Sequence, residues 1–331
     1  MCRVALLEPD KAQEAVASLP TTNTVKQEAD PDETKVLRAV NIREFLSMEF
    51  LTRENILNPW LSTQGLAMVH GIRGLGKTFF VMGVAVAVAS GRQFLKWQAN
   101  KPCGVLHLDG EMPAVTLQER YSKFIVSTDL EPMAPLKIVT PDLQKIWMPD
   151  LTIIGGQQLL EPHLDGIRLV IVDNISTLCR RGRENEAESW LPVQEWALRL
   201  RTRGISVLFV HHSNKSGLQR GTSRREDVLD VVIGLRRPAD YRPDEGAKFE
   251  VHFEKSRGIY GDDVKPFEAA LITGSDGSQQ WTIKDLKESL TEKVAKLLNE
   301  GVPQYEIAEE LKITKGTVSK YKKKAAELGL L

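Results

Sequence analysis

The stretch HGIRGLGKTFF, residues 70–80, sets three glycines, a lysine and a threonine between apolar residues. LAMVH (66–70), an apolar run of strand length, comes just before it, and TFFVMGVAVAVA (78–89), an apolar run of helix length, follows. A glycine-rich turn between a buried strand and a buried helix has a physical use. Glycine lets the backbone turn so that successive N–H groups point inward, and the positive end of the helix faces the same space. Such a cradle suits an anion.

Gly71-x-x-x-x-Gly76-Lys77-Thr78 matches the P-loop pattern in the strand-then-helix context that this pattern requires. The loop Gly71, Ile72, Arg73, Gly74, Leu75 and Gly76, with Lys77, Thr78 and Phe79 behind it, is expected to hold the phosphates of ATP. Lys77 is expected to reach the β- and γ-phosphates, and the Thr78 hydroxyl to ligate Mg²⁺. RLVIVDN (168–174) ends an apolar run on Asp173, a second candidate for that ion. GVLHLDGEMP (104–113) carries two candidates for the base that takes a proton from water, Asp109 and Glu111; Glu111 is preferred because it lies beyond the strand end.

Around this stretch the pattern is α/β. Apolar runs recur near residues 66–70, 105–109, 168–173, 207–211 and 228–235, and ENEAESWLPVQEWALRLRTRG (184–204) is expected to place Trp190, Leu191, Val193, Trp196, Ala197, Leu198 and Leu200 largely on one side of a helix. Strands alternating with helices imply a mostly parallel sheet with ligands at its carboxyl ends. KFEVHFE (248–254) alternates strictly and PFEAALI (266–272) follows, which reads as an antiparallel hairpin appended to the sheet. TGSDGSQQ (273–280) reads as a linker. Residues 1–40 contain no aromatic residue and are rich in charge; they read as a mobile tail, or a partner-binding segment.

The domain division expected is a tail over 1–40, an ATPase domain over 41–283 and a small helical module over 284–331. Composition agrees with an ordinary globular protein, at 42% hydrophobic and 27% charged residues. Net charge is zero, so affinity for nucleic acid has to come from local patches. The longest apolar run falls short of the ~20 residues that span a bilayer, and Cys2, Cys103 and Cys179 show no CxxC spacing. Both point to a cytoplasmic chain with reduced thiols and no membrane partner.

The ordered set of motifs resembles the RecA-like ATPases, in particular the RepA-like and DnaB-like hexameric helicases and their KaiC-like relatives. The resemblance runs from about residue 41 to 283, through NPWLSTQGLAMVHGIRGLGKTFF, GVLHLDGEMP, LVIVDN, VLFVHHSNKSGLQRGTSRREDVLD and FEKSRG. It implies that Glu111 is the catalytic base and that Arg120 lies near the nucleotide. It also implies a polar sensor of the γ-phosphate at His211 or His212, with His212 favoured. Lys255 and Arg257 of the KSR element then match a finger inserted into a neighbouring subunit's site, which implies a homo-oligomeric ring, of six chains in the family.

Basic residues follow the catalytic strands: Arg180, Arg181 and Arg183, then Lys215, Arg220, Arg224 and Arg225. In ring helicases loops at these places face the central channel, where charges grip a DNA backbone without reading bases. EIAEELKITKGTVSKYKKK (306–324) resembles bacterial helix-turn-helix modules, which would bring Lys315, Thr317, Ser319 and Lys320 to DNA. A lysine-rich packing module or a primase-docking domain is the alternative there. The function expected is an Mg-ATP-driven DNA helicase or translocase of a mobile element, with a primase or replication initiator as a further partner. An ATP-dependent DNA-binding regulator, or a KaiC-like or recombination ATPase, is the alternative.

Overall fold

The structure, a computed structural model, describes residues 37–50, 52–180, 187–213, 227–238, 240–286, 290–327 and 330–331. The chain divides into two compact units, up to Thr52 and from Arg53 onward. In the first, Ile42–Ser47 form a short helix capped by Asn41, whose side chain accepts from Glu44 N at 3.0 Å.

Among the described residues of the second unit, nine strands make one sheet: β1 (Leu66–Gly71), β2 (Gly104–Asp109), β3 (Leu136–Val139), β4 (Ile167–Asp173), β5 (Ser206–His212), β6 (Val231–Arg236), β7 (Lys248–Ser256), β8 (Phe267–Thr273) and β9 (Gln279–Asp285). Their order is β9-β8-β7-β6-β1-β5-β4-β2-β3. From β6 to β3 every neighbouring pair is parallel. From β6 to β9 every pair is antiparallel. The fold is therefore mixed α/β, a mostly parallel central sheet extended by an antiparallel meander.

Side-chain alternation divides the core between the two faces of the sheet. One face buries Ala67, Val69, Val105, Leu169, Ile171, Leu208 and Val210 against helix α1 (Lys77–Ser90) and part of α2 (Ala114–Thr128). The other buries Leu66, Met68, Val170, Val172, Val207 and Phe209 against α3 (Ala187–Thr202), through Trp190, Val193, Trp196 and Leu200. Helix α1 is covered almost all round, which explains its nearly uniform apolar sequence. Gly91, at φ +67°, ends it.

Two elements differ from the sequence expectation. The TGSDGSQQ stretch is the turn of a hairpin, with Gly277 at φ +81°, and its last residues open β9, paired with β8 from Thr273↔Gln279 to Phe267↔Asp285. Strand β3 was not expected either: it is short and half-buried throughout, so it carries no alternation to read.

Toward the C-terminus α4 (Leu290–Asn299), α5 (Gln304–Glu310) and α6 (Lys315–Glu327) have a small core of their own. It consists of Val294, Ile307, Ala308 and Val318, with Leu297, Leu311, Ile313 and Tyr321 around it. Thr314 caps α6 by accepting from Thr317 N at 3.2 Å. Among the described residues no helix is long and apolar enough to cross a membrane.

Candidate active site

The parallel strands β1, β2, β4 and β5 end together. Asp109 pairs with Asp173, and Gly71 with His212. Alternation puts all four on the face that carries α1. His211, one residue earlier, pairs with His70 and lies in the opposite layer, fully buried. A cleft of about 340 Å³ opens at these strand ends, lined by Gly74, Gly76, Lys77, Thr78, Phe79, Glu111, Arg120, Asp173, Asn174, His212, Tyr241, Gly246 and Ala247.

The loop over residues 71–76 is held from below by Leu75, which is buried in the core. Gly74 and Gly76 have φ of +73° and +103°, so each needs glycine for its backbone. At Gly76 a Cβ would also stand 2.9 Å from that of Ala247. Gly71 is packed too closely for a side chain, with Leu235 O 2.9 Å from a Cβ built there. Lys77 Nζ donates to the carbonyls of Gly71 at 2.9 Å and Ile72 at 2.8 Å, so the ammonium is curled under the loop. Burial pulls Lys77 down to about 8, against the opposing pull of Asp173 and Glu111.

Asp173 faces Lys77 and accepts a hydrogen bond from the Thr78 hydroxyl. Burial, and then the nearby Asp109 carboxylate, push it up to about 7. Its Oδ2 is buried without a hydrogen-bond partner among the described residues, as is Nε2 of His107, 3.9 Å away. Burial lowers His107 to about 4, so its ring is neutral, and its Nδ1 is bonded to the Tyr121 hydroxyl at 2.7 Å. His107, Asp109 and Asp173 bring one ligand atom each to within 4.8 Å of one another. An orphaned carboxylate oxygen beside a threonine hydroxyl is the donor set that a hard divalent cation takes. The residues therefore fit magnesium, with Thr78 and Asp173 as the groups that would hold it.

Asp109 and Glu111 have different surroundings. Asp109 is buried, and its Oδ1 accepts from the N–H groups of Glu111 at 2.9 Å and Met112 at 2.7 Å, so it braces the turn. Glu111 is half-exposed at the cleft, with Oε1 3.6 Å from His212 Nε2. Asn174 Nδ2 donates to the same nitrogen at 3.2 Å, which a neutral ring accepts. Burial, followed by the positive charge of Lys77, lowers His212 and keeps it neutral.

Arg120 lies over the Phe79 ring at 4.4 Å, on the wall of the cleft. Lys255 and Arg257 are not part of it. Ser256 pairs with Val231 at the start of β6, which itself lies beside Ala67 at the start of β1. Strand rise puts these residues roughly 15–20 Å from Gly71. There Arg257 Nη2 donates to Asp227 O at 2.9 Å and Lys255 Nζ to the same oxygen at 3.4 Å. Arg180 also lies outside the cleft, with Nη2 donating to Met148 O at 2.6 Å. Arg181, Arg183, Lys215, Arg220, Arg224 and Arg225 lie outside the described residues. Lys315, Ser319 and Lys320 are exposed on α6, and Thr317 is half-buried at its start.

Four lining residues have no counterpart in the sequence reading: Asn174, Tyr241, Gly246 and Ala247. Asn174 directly follows Asp173 and was legible as the first residue past a strand end. Tyr241 sits in an irregular stretch with no motif; its hydroxyl donates to Gly246 O at 3.2 Å, and Arg237 lies over its ring at 4.4 Å. This loop supplies the wall facing the glycines.

Residues 31–217 match the model of a family described as an AAA domain. The match takes in Lys77, Thr78, Glu111, Asp173 and His212, and ends before Tyr241, Lys255 and the three C-terminal helices. No protein of curated function matches the sequence. Among solved structures, the crystal structure of a KaiC-like protein from the hyperthermophilic archaea Pyrococcus horikoshii OT3 is similar with a TM-score of 0.46 and 14% identity, over 67% of this chain and 90% of that one.

Proposed function

The chain belongs to the AAA domain family, and from that premise we propose that it is a magnesium-dependent ATP hydrolase working as a ring-forming motor on DNA. The observation that carries the reading is the convergence of Lys77, Thr78, Glu111, Asp173 and His212 on one cleft. The glycine loop and the α1 N-terminus receive the phosphates, and Lys77 exchanges two loop carbonyls for phosphate oxygens. Magnesium, when bound at Thr78 and Asp173, supplies positive charge to the phosphates. Glu111 accepts the proton of the attacking water at a carboxylate oxygen, and His212 stands beside it with Nε2 3.6 Å from Oε1. Tyr241 offers a face on which the base stacks.

The place of Lys255 and Arg257 supports a shared site. At the far end of the sheet they are out of reach of their own chain's cleft, so any phosphate they touch belongs to a neighbouring copy. A guanidinium contributed in this way is worth roughly 10³–10⁵ in rate where it operates. DNA as the partner is supported by the exposed lysines of α6: Lys315, Lys320, Lys322, Lys323 and Lys324 stand on it without an acidic residue among them.

The Arg257→Ala variant tests the shared site. It should keep ATP binding and lose DNA-stimulated turnover, and mixing it with Lys77→Ala chains should restore part of the turnover through hybrid sites. Normal turnover in Arg257→Ala refutes the shared site. The three-helix unit favours a second reading, a DNA-binding regulator whose assembly ATP controls. Tight duplex binding with feeble hydrolysis and no fork unwinding would select it.

A further inference from the structure

On the sheet face away from α1, a chain of polar side chains runs through three strands. Alternation puts His70 on this face with Leu66 and Met68. Ser213 Oγ lies 2.8 Å from His70 Nδ1, and His70 Nε2 lies 2.7 Å from Glu254 Oε2. Arg236 Nη2 donates to the other oxygen, Glu254 Oε1, at 3.1 Å. His70 and Ser213 are 2% and 4% exposed.

The proton positions follow. Burial pushes the Glu254 carboxyl up, but the bonds from His70 and Arg236 outweigh it and hold the group below the ordinary carboxylate range. Glu254 is therefore ionised at neutral pH and accepts from Nε2–H. In a neutral His70 ring Nδ1 is then the acceptor, and the Ser213 hydroxyl donates to it.

The backbone makes room for this chain. Glu254 is on β7 and His70 on β1, with β6 between them. Gly234 of β6 is the residue beside His70, and a Cβ there would stand 2.3 Å from Glu254 Oε1. Glycine leaves the space through which the carboxylate crosses β6.

Both ends lead to functional residues. Ser213 N donates to Gly71 O at 3.0 Å, the carbonyl that also receives Lys77. Ser213 directly follows His212, and Glu254 directly precedes Lys255.

We propose that Ser213, His70 and Glu254 are positioning residues for ATP hydrolysis. They clamp the end of β5 to the first residue of the phosphate loop and so set His212 against Glu111. They also tie the strand bearing Lys255 and Arg257 to the cleft of the same chain. This rests on the ATP-hydrolysis reading above. None of the three residues lines the cleft, so loss of the chain lowers kcat and leaves nucleotide binding intact.

The test uses the full-length protein with Gly234→Ala, Glu254→Leu and Glu254→Gln. Gly234→Ala displaces the carboxylate sterically, and Glu254→Leu removes it at similar volume. Both should lower kcat about tenfold or more, with KM and the Kd of a non-hydrolysable ATP analogue within about twofold of wild type. The double variant should be no slower than Glu254→Leu alone, because both break one link. Glu254→Gln keeps an oxygen that accepts from Nε2–H and should retain turnover within about threefold.

Full turnover in Glu254→Leu, or equal loss in Glu254→Leu and Glu254→Gln, overturns the proposal. The His212 ring resonances, followed by NMR, give a readout independent of turnover. They should shift in Glu254→Leu and stay near wild type in Glu254→Gln; unshifted resonances in Glu254→Leu overturn the positioning role. If wild type itself binds ATP but hydrolyses none, the enzymatic reading fails, and the resonances still decide the clamp.

Discussion

Replacing Asp173 by asparagine separates the chemical use of this carboxylate from its effect on stability. Asp173 is buried, and burial followed by Asp109 raises it from 3.8 to about 7. That difference corresponds to about 4 kcal/mol of penalty on the charged form. The sign follows from linkage. Between pH 4 and 7 the native carboxyl holds its proton while the unfolded one has lost it, so stability falls as pH rises through this window and levels above it. Asparagine is neutral throughout, fills the same space, and its Oδ1 can still accept from Thr78. In metal- and nucleotide-free urea unfolding, Asp173→Asn should therefore gain on wild type with rising pH. The advantage should grow by about 2–3 kcal/mol between pH 5 and pH 8. Turnover should be lost at every pH. A stability difference that does not change with pH would refute the assignment of a destabilised buried carboxylate.

Two more substitutions isolate other parts of the cleft. Glu111→Gln should leave binding of a non-hydrolysable ATP analogue unchanged and lower single-turnover hydrolysis by roughly 10²–10⁴, the contribution of a general base. A residual rate near wild type would assign the base elsewhere. Tyr241→Ala removes a stacking face worth roughly 0.5–1.5 kcal/mol, so titration should show ATP bound about two- to tenfold more weakly and inorganic triphosphate unaffected. Equal weakening of both ligands would contradict a contact with the base.

How much was readable beforehand depended on how local the determinant is. The phosphate loop is contiguous, and each of its residue types has a conformational or chemical reason, so Gly71 to Thr78 could be read directly. Asp173 could be read because it ends a buried apolar run about a hundred residues after the phosphate loop, where a carboxylate can reach the ion that accompanies the phosphates. The two histidines were harder. Their neighbours alternate equally well in either phase, and only the pairing of Gly71 with His212 puts one of them on the face of α1.

Strand β9 was missed, and its first two residues were read as linker, because the strand is mostly exposed, so pairing with β8 rather than burial defines it. Tyr241 and the crossing of Glu254 over Gly234 are brought to their places by long-range register, at separations of more than a hundred residues from the loop they serve. No local pattern records such a contact.

The central claim is that the cleft over Gly71 to Thr78 holds ATP. Calorimetric titration of the full-length protein with a non-hydrolysable ATP analogue and magnesium tests it most directly, beside Lys77→Ala. One nucleotide bound per wild-type chain, with binding abolished or strongly weakened in the variant, is the predicted result. No uptake by the folded wild-type protein, or equal uptake by both, would contradict it.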